Sequence, residues 1–344
     1  MATIREIAKL AGVSIGTVDR ALNNRGRIDH DVEQKILDIA KSLNYKPDKI
    51  AKSLAIRKKK FKIAAVLNTY NNLFFEDVIK GIEIAGKEIE EFGMSIIIKR
   101  CKDFDADNQL ELIKEAINEG ANAMAIVAIN DERVKNKISE LYNNNFPIVL
   151  LNSFVDSKDC IAYVGCNYEL AGEIAASLLN IISNGNNINL LVFSNNFNKM
   201  LGNKKRVDSL VSRLNSDYKN VNVQSIIEME KDNNLNFDKS KNNLLKHMDT
   251  DVVICPGAET SKYVINAIKE LGLYNKIKII TYDCSDVVKE GLLDRGIVAS
   301  ITQNPKEQGY RAIKVLFEYL LTKTIPDKRY TYIETQVIFR ENLL

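Results

Sequence analysis

From Phe61 onward the sequence alternates short apolar runs with stretches of helical period, and that alternation leaves few folds open. The runs are KIAAVLN (62–68), MSIIIKR (94–100), AMAIVAI (123–129) and FPIVLLN (146–152), then CIAYVG, INLLVFS, NVQSIIE, DVVICPG, KIKIITYD and IVASITQ. Segments such as EDVIKGIEIAGKEIEEFG and DNQLELIKEAINEGA separate them. Strands that are apolar on both faces and joined by helices call for parallel sheets with helices packed on each side. About ten strands are too many for one comfortable sheet. The expected class is therefore α/β, in two lobes. Ligands of such sheets sit beyond the carboxyl ends of the strands, so two facing lobes would hold one between them. The asparagine-rich stretches 184–198 and 232–243 read as loops or loop-flanking polar surface.

The first sixty residues follow a different rule. In TIREIAKLAGVSIGTVDRALN, Thr3 and Glu6 fit a capping box that opens a helix, with Ile7, Ala8 and Leu10 on its apolar side. Gly12 falls where a tight turn between helices needs a left-handed residue. Ser14 is placed to cap a second helix running to Asn23. Asp29 is placed to cap a third, with Val32, Ile36, Ile39, Ala40 and Leu43 at helical spacing. This is a helix-turn-helix pattern, whose second helix reads the major groove. Charge agrees: residues 1–60 carry 14 Lys and Arg against 7 Asp and Glu, whereas the remainder carries 34 against 38. A basic head on a mildly acidic body suits phosphate neutralisation by the head alone. Residues 46–56, KPDKIAKSLAI, read as a short amphipathic helix, and RKKK (57–60) as a charged linker.

Several classes are disfavoured. The five cysteines (Cys101, Cys160, Cys166, Cys255, Cys284) contain no C-x-x-C pair, and the two histidines, His30 and His247, are far apart. Neither a zinc site nor a disulfide framework is readable, and no metal or other cofactor is expected. No catalytic residues are assigned, because no G-x-G-x-x-G opens the first α/β unit and no G-x-S-x-G joins a strand to a helix in the α/β body. The N-terminus lacks a signal peptide's apolar core, and no run approaches the roughly 18 apolar residues that span a bilayer. A cytoplasmic protein without membrane partners is expected, not a transport-type binding protein.

The stretch ATIREIAKLAGVSIGTVDRALNNRGRI, followed by IAKSLNYKPDKIAKSLA, resembles the lac repressor/galactose repressor family of bacterial transcription regulators. The body is similar to that family's inducer-binding core, which is related to periplasmic sugar-binding proteins. The likeness spans essentially the whole chain. It implies a helix-turn-helix headpiece at 1–45, a hinge helix and linker at 46–60, and a ligand-binding core at 61–344. The core would be two Rossmann-like parallel-sheet lobes of the periplasmic-binding-protein type. The N-lobe would take about 61–160 and 304–326, and the C-lobe about 161–303 and 327–344.

The resemblance also assigns roles. Thr3, Ser14, Ile15, Gly16, Thr17, Arg20 and Asn23 would serve DNA binding, with Ile15, Gly16 and Arg20 facing the bases. A bidentate Arg20–guanine contact is worth about 1–3 kcal/mol of discrimination. Gly16 leaves a base-facing position bare, and Asp19 brings a negative charge near phosphates. Leu54 matches a leucine wedged between minor-groove base steps, with Lys52 beside it on the hinge. In the core, NNLFF (71–75) nominates Asn72, Phe74 and Phe75 for a sugar ring. Arg206, Asp283, Gln303 and Asn130 complete the set, with Tyr282 a weaker candidate. Gly257 replaces a side chain that often touches ligand in relatives.

The reading is a dimeric repressor on a palindromic operator in double-stranded DNA, controlled by a small sugar or polyol. The alternatives are a corepressor-dependent regulator that binds a purine or sugar phosphate and, from another class, a doubly wound α/β enzyme. The tail ETQVIFRENLL has no heptad segment, which favours a dimer over a tetramer.

Overall fold

The computed structural model describes residues 3–22, 28–43, 45, 59–68, 74–102, 104–153, 155, 158–194, 201–229 and 233–344. Two compact units divide the chain, Met1–Ile56 and Arg57–Leu344. Of the nominated residues, Asn23, Lys52, Leu54 and Asn72 lie outside the described ones, as does the expected hinge helix.

The head holds α1 (Ile4–Ala11), α2 (Ile15–Leu22) and α3 (His30–Ser42). Each start has its chemical reason. The Thr3 N–H donates to Glu6 Oε2 at 2.8 Å while the Glu6 N–H donates to Thr3 Oγ1 at 3.3 Å, a complete capping box. Gly12, at φ 71°, takes the left-handed turn that ends α1. Asp29 accepts from the N–H groups of Asp31 and Val32 at the start of α3. Ile7, Ala8, Ala11, Val18, Ala21, Ile36 and Ala40 form the buried centre. Full burial of one isoleucine side chain contributes about 1.5–3 kcal/mol. Lys35 of α3 donates to the Ala11 carbonyl at 3.1 Å, placing a cation where the dipole of α1 is negative. Leu10 corrects the sequence reading: it is 59% exposed, because the apolar stripe of this short helix turns through Ala11 instead.

All ten expected strands form: β1 (Lys62–Asn68), β2 (Ser95–Cys101), β3 (Ala121–Ile126), β4 (Ile148–Leu151), β5 (Ala162–Cys166), β6 (Ile188–Ser194), β7 (Val221–Glu228), β8 (Val252–Cys255), β9 (Lys278–Tyr282) and β10 (Ala299–Thr302). Two edge strands join them, β11 (Tyr330–Ile333) and β12 (Gln336–Ile338). The sheets run β2-β1-β3-β4-β5-β11 and β7-β6-β8-β9-β10-β12. The pairs are parallel, except that β12 runs antiparallel to β10. Helices cover both faces. In β6, Leu190 and Val192 pack with Leu179 and Leu210 on one side, while Leu191 and Phe193 meet Val264 and Ile268 on the other.

The covering helices are α4 (Phe74–Glu90), α5 (Ala106–Asn118), α6 (Glu132–Asn143), α7 (Tyr168–Ser183), α8 (Leu201–Asp217), α9 (Asn233–Lys246), α10 (Ala258–Glu270), α11 (Asp286–Leu293) and α12 (Pro305–Thr322). Helix α9 overturns the loop reading of 232–243. Its polar residues Asn236 and Ser240 are buried, Ser240 Oγ bonds the Asn236 carbonyl at 2.7 Å, and Leu244 anchors the far end. Tertiary packing thus overrides the low helix propensity of the asparagines.

The chain passes between the lobes three times: from β5 to α7, from β10 to α12, and from β11 to β12. Strand β5 pairs with β4, so the first passage falls after Cys166 and not near residue 160. Strand β11 pairs with β5, which returns residues 330–333 to the N-lobe. Helix α12 belongs to the N-lobe too, packed on α4 at a close crossing. A Cβ added at Gly81 would overlap the Lys306 carbonyl, and one at Gly309 would overlap the Val78 carbonyl.

Candidate functional site

In the head, α2 presents its outer face to solvent. Ile15 is half exposed, Gly16 and Arg20 are exposed, and Val18 and Ala21 turn inward. Ser14 Oγ accepts from the Thr17 N–H at 3.1 Å and lies 2.9 Å from Thr17 Oγ1. Both hydroxyls are thus engaged at the helix start, as is Thr3 at its own. Arg20 Nε donates to the Gly16 carbonyl at 3.2 Å, laying the guanidinium along the exposed face. A Cβ at Gly16 would meet only Ser14 Oγ, at an ordinary 3.8 Å. Gly16→Ala is therefore expected to stabilise the head by up to about 1 kcal/mol. Thermal unfolding followed by circular dichroism checks this, and a lowered midpoint would contradict it.

In the core, polar residues gather at the carboxyl ends of the strands. Asp283 follows β9 and adopts the left-handed conformation, φ 59°; Asn152 follows β4 at φ 58°. Asparagine and aspartate tolerate that region best among residues with a Cβ. Asp283 is held by its N–H to the Ile301 carbonyl at 2.9 Å and by Ser300 Oγ donating to its carbonyl at 2.7 Å. Burial lifts its carboxyl to about 6, against the opposing pull of the Arg206 charge and the Gln303 amide. Gln303 Nε2 donates to both carboxylate oxygens, at 3.1 and 3.3 Å.

Arg206 is buried on α8. Its guanidinium stacks 4.2 Å from the Tyr282 ring centroid and 5.1 Å from that of Tyr168, and Nη1 donates to the Pro256 carbonyl. Its Nε is buried without a partner. The Tyr282 hydroxyl is committed to the Ala171 carbonyl at 2.6 Å, leaving its ring face to Arg206. On the N-lobe side, Phe74 and Phe75 pack edge to face, centroids 5.2 Å apart, and Phe75 is only 1% exposed. Asn130 is half-buried beyond β3, just before Asp131 caps α6. Gly257 caps α10 without a side chain.

The structure ties Asn152, one of the polar strand ends, to residues that the sequence reading did not single out. Asn152 Nδ2 donates to Gln308 Oε1 at 2.9 Å, and Gln308 Nε2 donates to the Gln303 carbonyl at 2.7 Å. The Asn152 carbonyl accepts from the hydroxyls of Tyr163 at 3.0 Å and Tyr168 at 2.7 Å. A buried chain of amides thus runs from Asp283 in the C-lobe through Gln303 to Gln308 on α12 and Asn152 in the N-lobe. It spans the second lobe passage. The sequence signal for Gln308 is slight: a polar residue where the turn of α12 faces inward.

A three-helix head with an exposed second helix, followed by two hinged α/β lobes with polar strand ends, defines a DNA-binding regulator built on a binding-protein core. The chain belongs to the periplasmic binding protein domain family, which matches residues 63–324, and its head matches the lacI family of bacterial regulatory proteins over residues 3–48. It is 24% identical over 343 residues to catabolite control protein A of Priestia megaterium, covering 99% of this chain and 98% of that one. The probable HTH-type transcriptional repressor ExuR of Bacillus subtilis is 32% identical over 163 residues, 46% of this chain and 45% of that protein. Among solved structures, GanP, a glucose-galactose binding protein from Geobacillus stearothermophilus, superposes with a TM-score of 0.74 at 20% identity, over 82% of this chain and 98% of that one. These curated relatives are DNA-binding transcriptional regulators, not enzymes. Among the described residues, no helix is long and apolar enough to cross a membrane.

Proposed function

We propose that this regulator is a dimeric repressor whose operator affinity responds to a small uncharged sugar or polyol held at the facing strand ends of the core. The supporting observation is that Arg206 and Asp283 are both buried and feel each other's charge without bonding to each other, while Arg206 Nε is left with an unused donor. A ligand with several hydroxyls can donate to the carboxylate and accept from the guanidinium. A phosphate would bring up to two negative charges beside Asp283 with one arginine to offset them, a costly burial. Several similar solved structures are named as sugar-binding proteins, one for glucose and galactose and another for arabinose. In this reading Asn72, Asn130 and Gln303 add hydrogen bonds, Phe74 and Phe75 form an apolar wall, and Arg206 and Asp283 clamp hydroxyls.

On the DNA side, Arg20 reads a base while Ile15 makes apolar contact. Lys52 and Leu54 serve the minor groove, and two heads address the halves of a palindrome. Arg20→Ala is expected to cost about 1–3 kcal/mol on the cognate operator and far less on unrelated duplexes. Equal losses on both, in fluorescence anisotropy titrations, would make Arg20 a phosphate contact. The effector reading is tested by thermal-shift screening against neutral pentoses, hexoses and polyols, with sugar phosphates and purines alongside. A ligand at 100 times its dissociation constant adds about 2.7 kcal/mol. Stabilisation confined to phosphates or purines would replace this reading with the corepressor one.

A further inference from the structure

Two polar side chains outside the set above are enclosed without any use in the fold. Asn68 ends β1 and Ser194 ends β6, each the first strand of its lobe and placed second in its sheet. Asn68 is 1% exposed and Ser194 0%. Asn68 Oδ1, Asn68 Nδ2 and Ser194 Oγ are buried with no hydrogen-bond partner. Evolved interiors rarely keep such atoms, because an unsatisfied buried donor or acceptor opposes folding. The other atoms that share this state include Arg206 Nε and Thr281 Oγ1, one residue before the end of β9. Asn68, Ser194 and Thr281 all lie at or next to the carboxyl ends of their strands, and Arg206 reaches its place from α8. A neighbouring amide shows what a structural role looks like. Gln109, equally buried on α5, donates to the Val127 carbonyl at 3.0 Å and accepts from the Ile129 N–H at 2.9 Å.

We infer that Asn68 and Ser194 are specificity-determining contacts for the effector, one from each lobe, whose hydrogen-bonding groups are completed by ligand hydroxyls. This rests on the sugar-site reading above. Asn68 offers a donor and an acceptor side by side, which suits two adjacent hydroxyls. Ser194 offers one hydroxyl on the face of the C-lobe sheet that carries Leu190 and Val192, in the same buried cluster as Tyr168 and Tyr282, the two rings on which Arg206 stacks. A ligand without hydroxyls at these places would leave both residues unsatisfied and be rejected.

The test uses the full-length protein and four variants: Asn68→Leu, Ser194→Ala, Gln109→Leu as the structural control, and Asp283→Asn. Without sugar, Asn68→Leu and Ser194→Ala are expected to keep or raise the melting temperature, Ser194→Ala by about 2 °C, while Gln109→Leu lowers it. Isothermal titration with D-glucose, D-galactose and L-arabinose follows. The sugar that binds wild type is expected to bind both strand-end variants about tenfold or more weakly. If the two variants melt early, as Gln109→Leu does, their polar groups serve the fold and the inference is overturned. If they bind the sugar like wild type while Asp283→Asn does not, the inference fails and the sugar site stands. If none of the three sugars binds wild type, or Asp283→Asn binds normally, it is the reading of the site that fails.

Discussion

Gly309→Ala is expected to destabilise the two-lobed core by about 3 kcal/mol, although alanine is the better helix former by about 1 kcal/mol. The new Cβ would overlap the Val78 carbonyl of α4, a backbone atom that no rotamer change can move aside. Gly81→Ala meets the Lys306 carbonyl in the same crossing and should behave alike. The two costs should not add. Once one methyl has forced α4 and α12 apart, the second finds room, so the double variant should fall well short of the sum of the singles. Urea titrations that follow the core transition separately from the head provide the measurement. Strict additivity would mean that the helices do not move as a pair. Gln308 adjoins Gly309, so a displaced α12 should also disturb its bond to Asn152.

Asp283→Asn carries the second large effect, in two parts. Without ligand, the raised carboxyl pKa of about 6 means that the folded protein holds a proton more tightly than the unfolded chain. Stability of the wild type therefore rises as pH falls through about 6 and levels off below about 4, by an amount on the order of 2–3 kcal/mol. The asparagine variant should lack that slope and be at least as stable at pH 8. With ligand, the variant loses a charged acceptor worth about 1.5–3 kcal/mol, a ten- to more than hundredfold loss of sugar affinity. Operator binding without sugar should be unchanged. Wild-type sugar affinity should itself decline below pH 6 as the acceptor protonates. Melting curves from pH 4 to 8, alongside sugar titrations, check both parts. A parallel pH slope in the variant would assign the titration to another group.

What the sequence made legible follows from where each residue's fate is decided. The ten central strands were plain because burial on both faces demands continuous apolar runs. Strand β11 was not, since Tyr330 and Tyr332 on this edge strand are exposed and break the pattern. The first lobe passage was placed early because the assignment of 162–166 depends on pairing with β4, a non-local choice. Leu10 and the asparagines of α9 misled for the same reason: local pattern yields to tertiary packing. Among the polar strand ends, Asp283 and Gln303 are named by resemblance and are bonded to each other, while Arg206, named the same way, stacks on Tyr282 and reaches Asp283 through its charge alone. Asn152 was visible only as a strand end. Gln308 and Tyr168 act through hydrogen bonds to residues far away in the sequence, which no local window displays.

The interleaving of the lobes has a consequence for synthesis. The N-lobe is begun at β1, yet α12 and β11, which close it, are translated only after nearly the whole C-lobe, about 140 residues beyond β5. At typical ribosomal rates that interval is on the order of ten seconds. Through it, the N-lobe waits with the face meant for α12 uncovered. The C-lobe in turn lacks its own edge strand, β12, until after β11 has been made. Neither lobe can therefore finish while the chain is still being elongated through the other, and the nascent regulator would depend on chaperone cover until its final strands emerge.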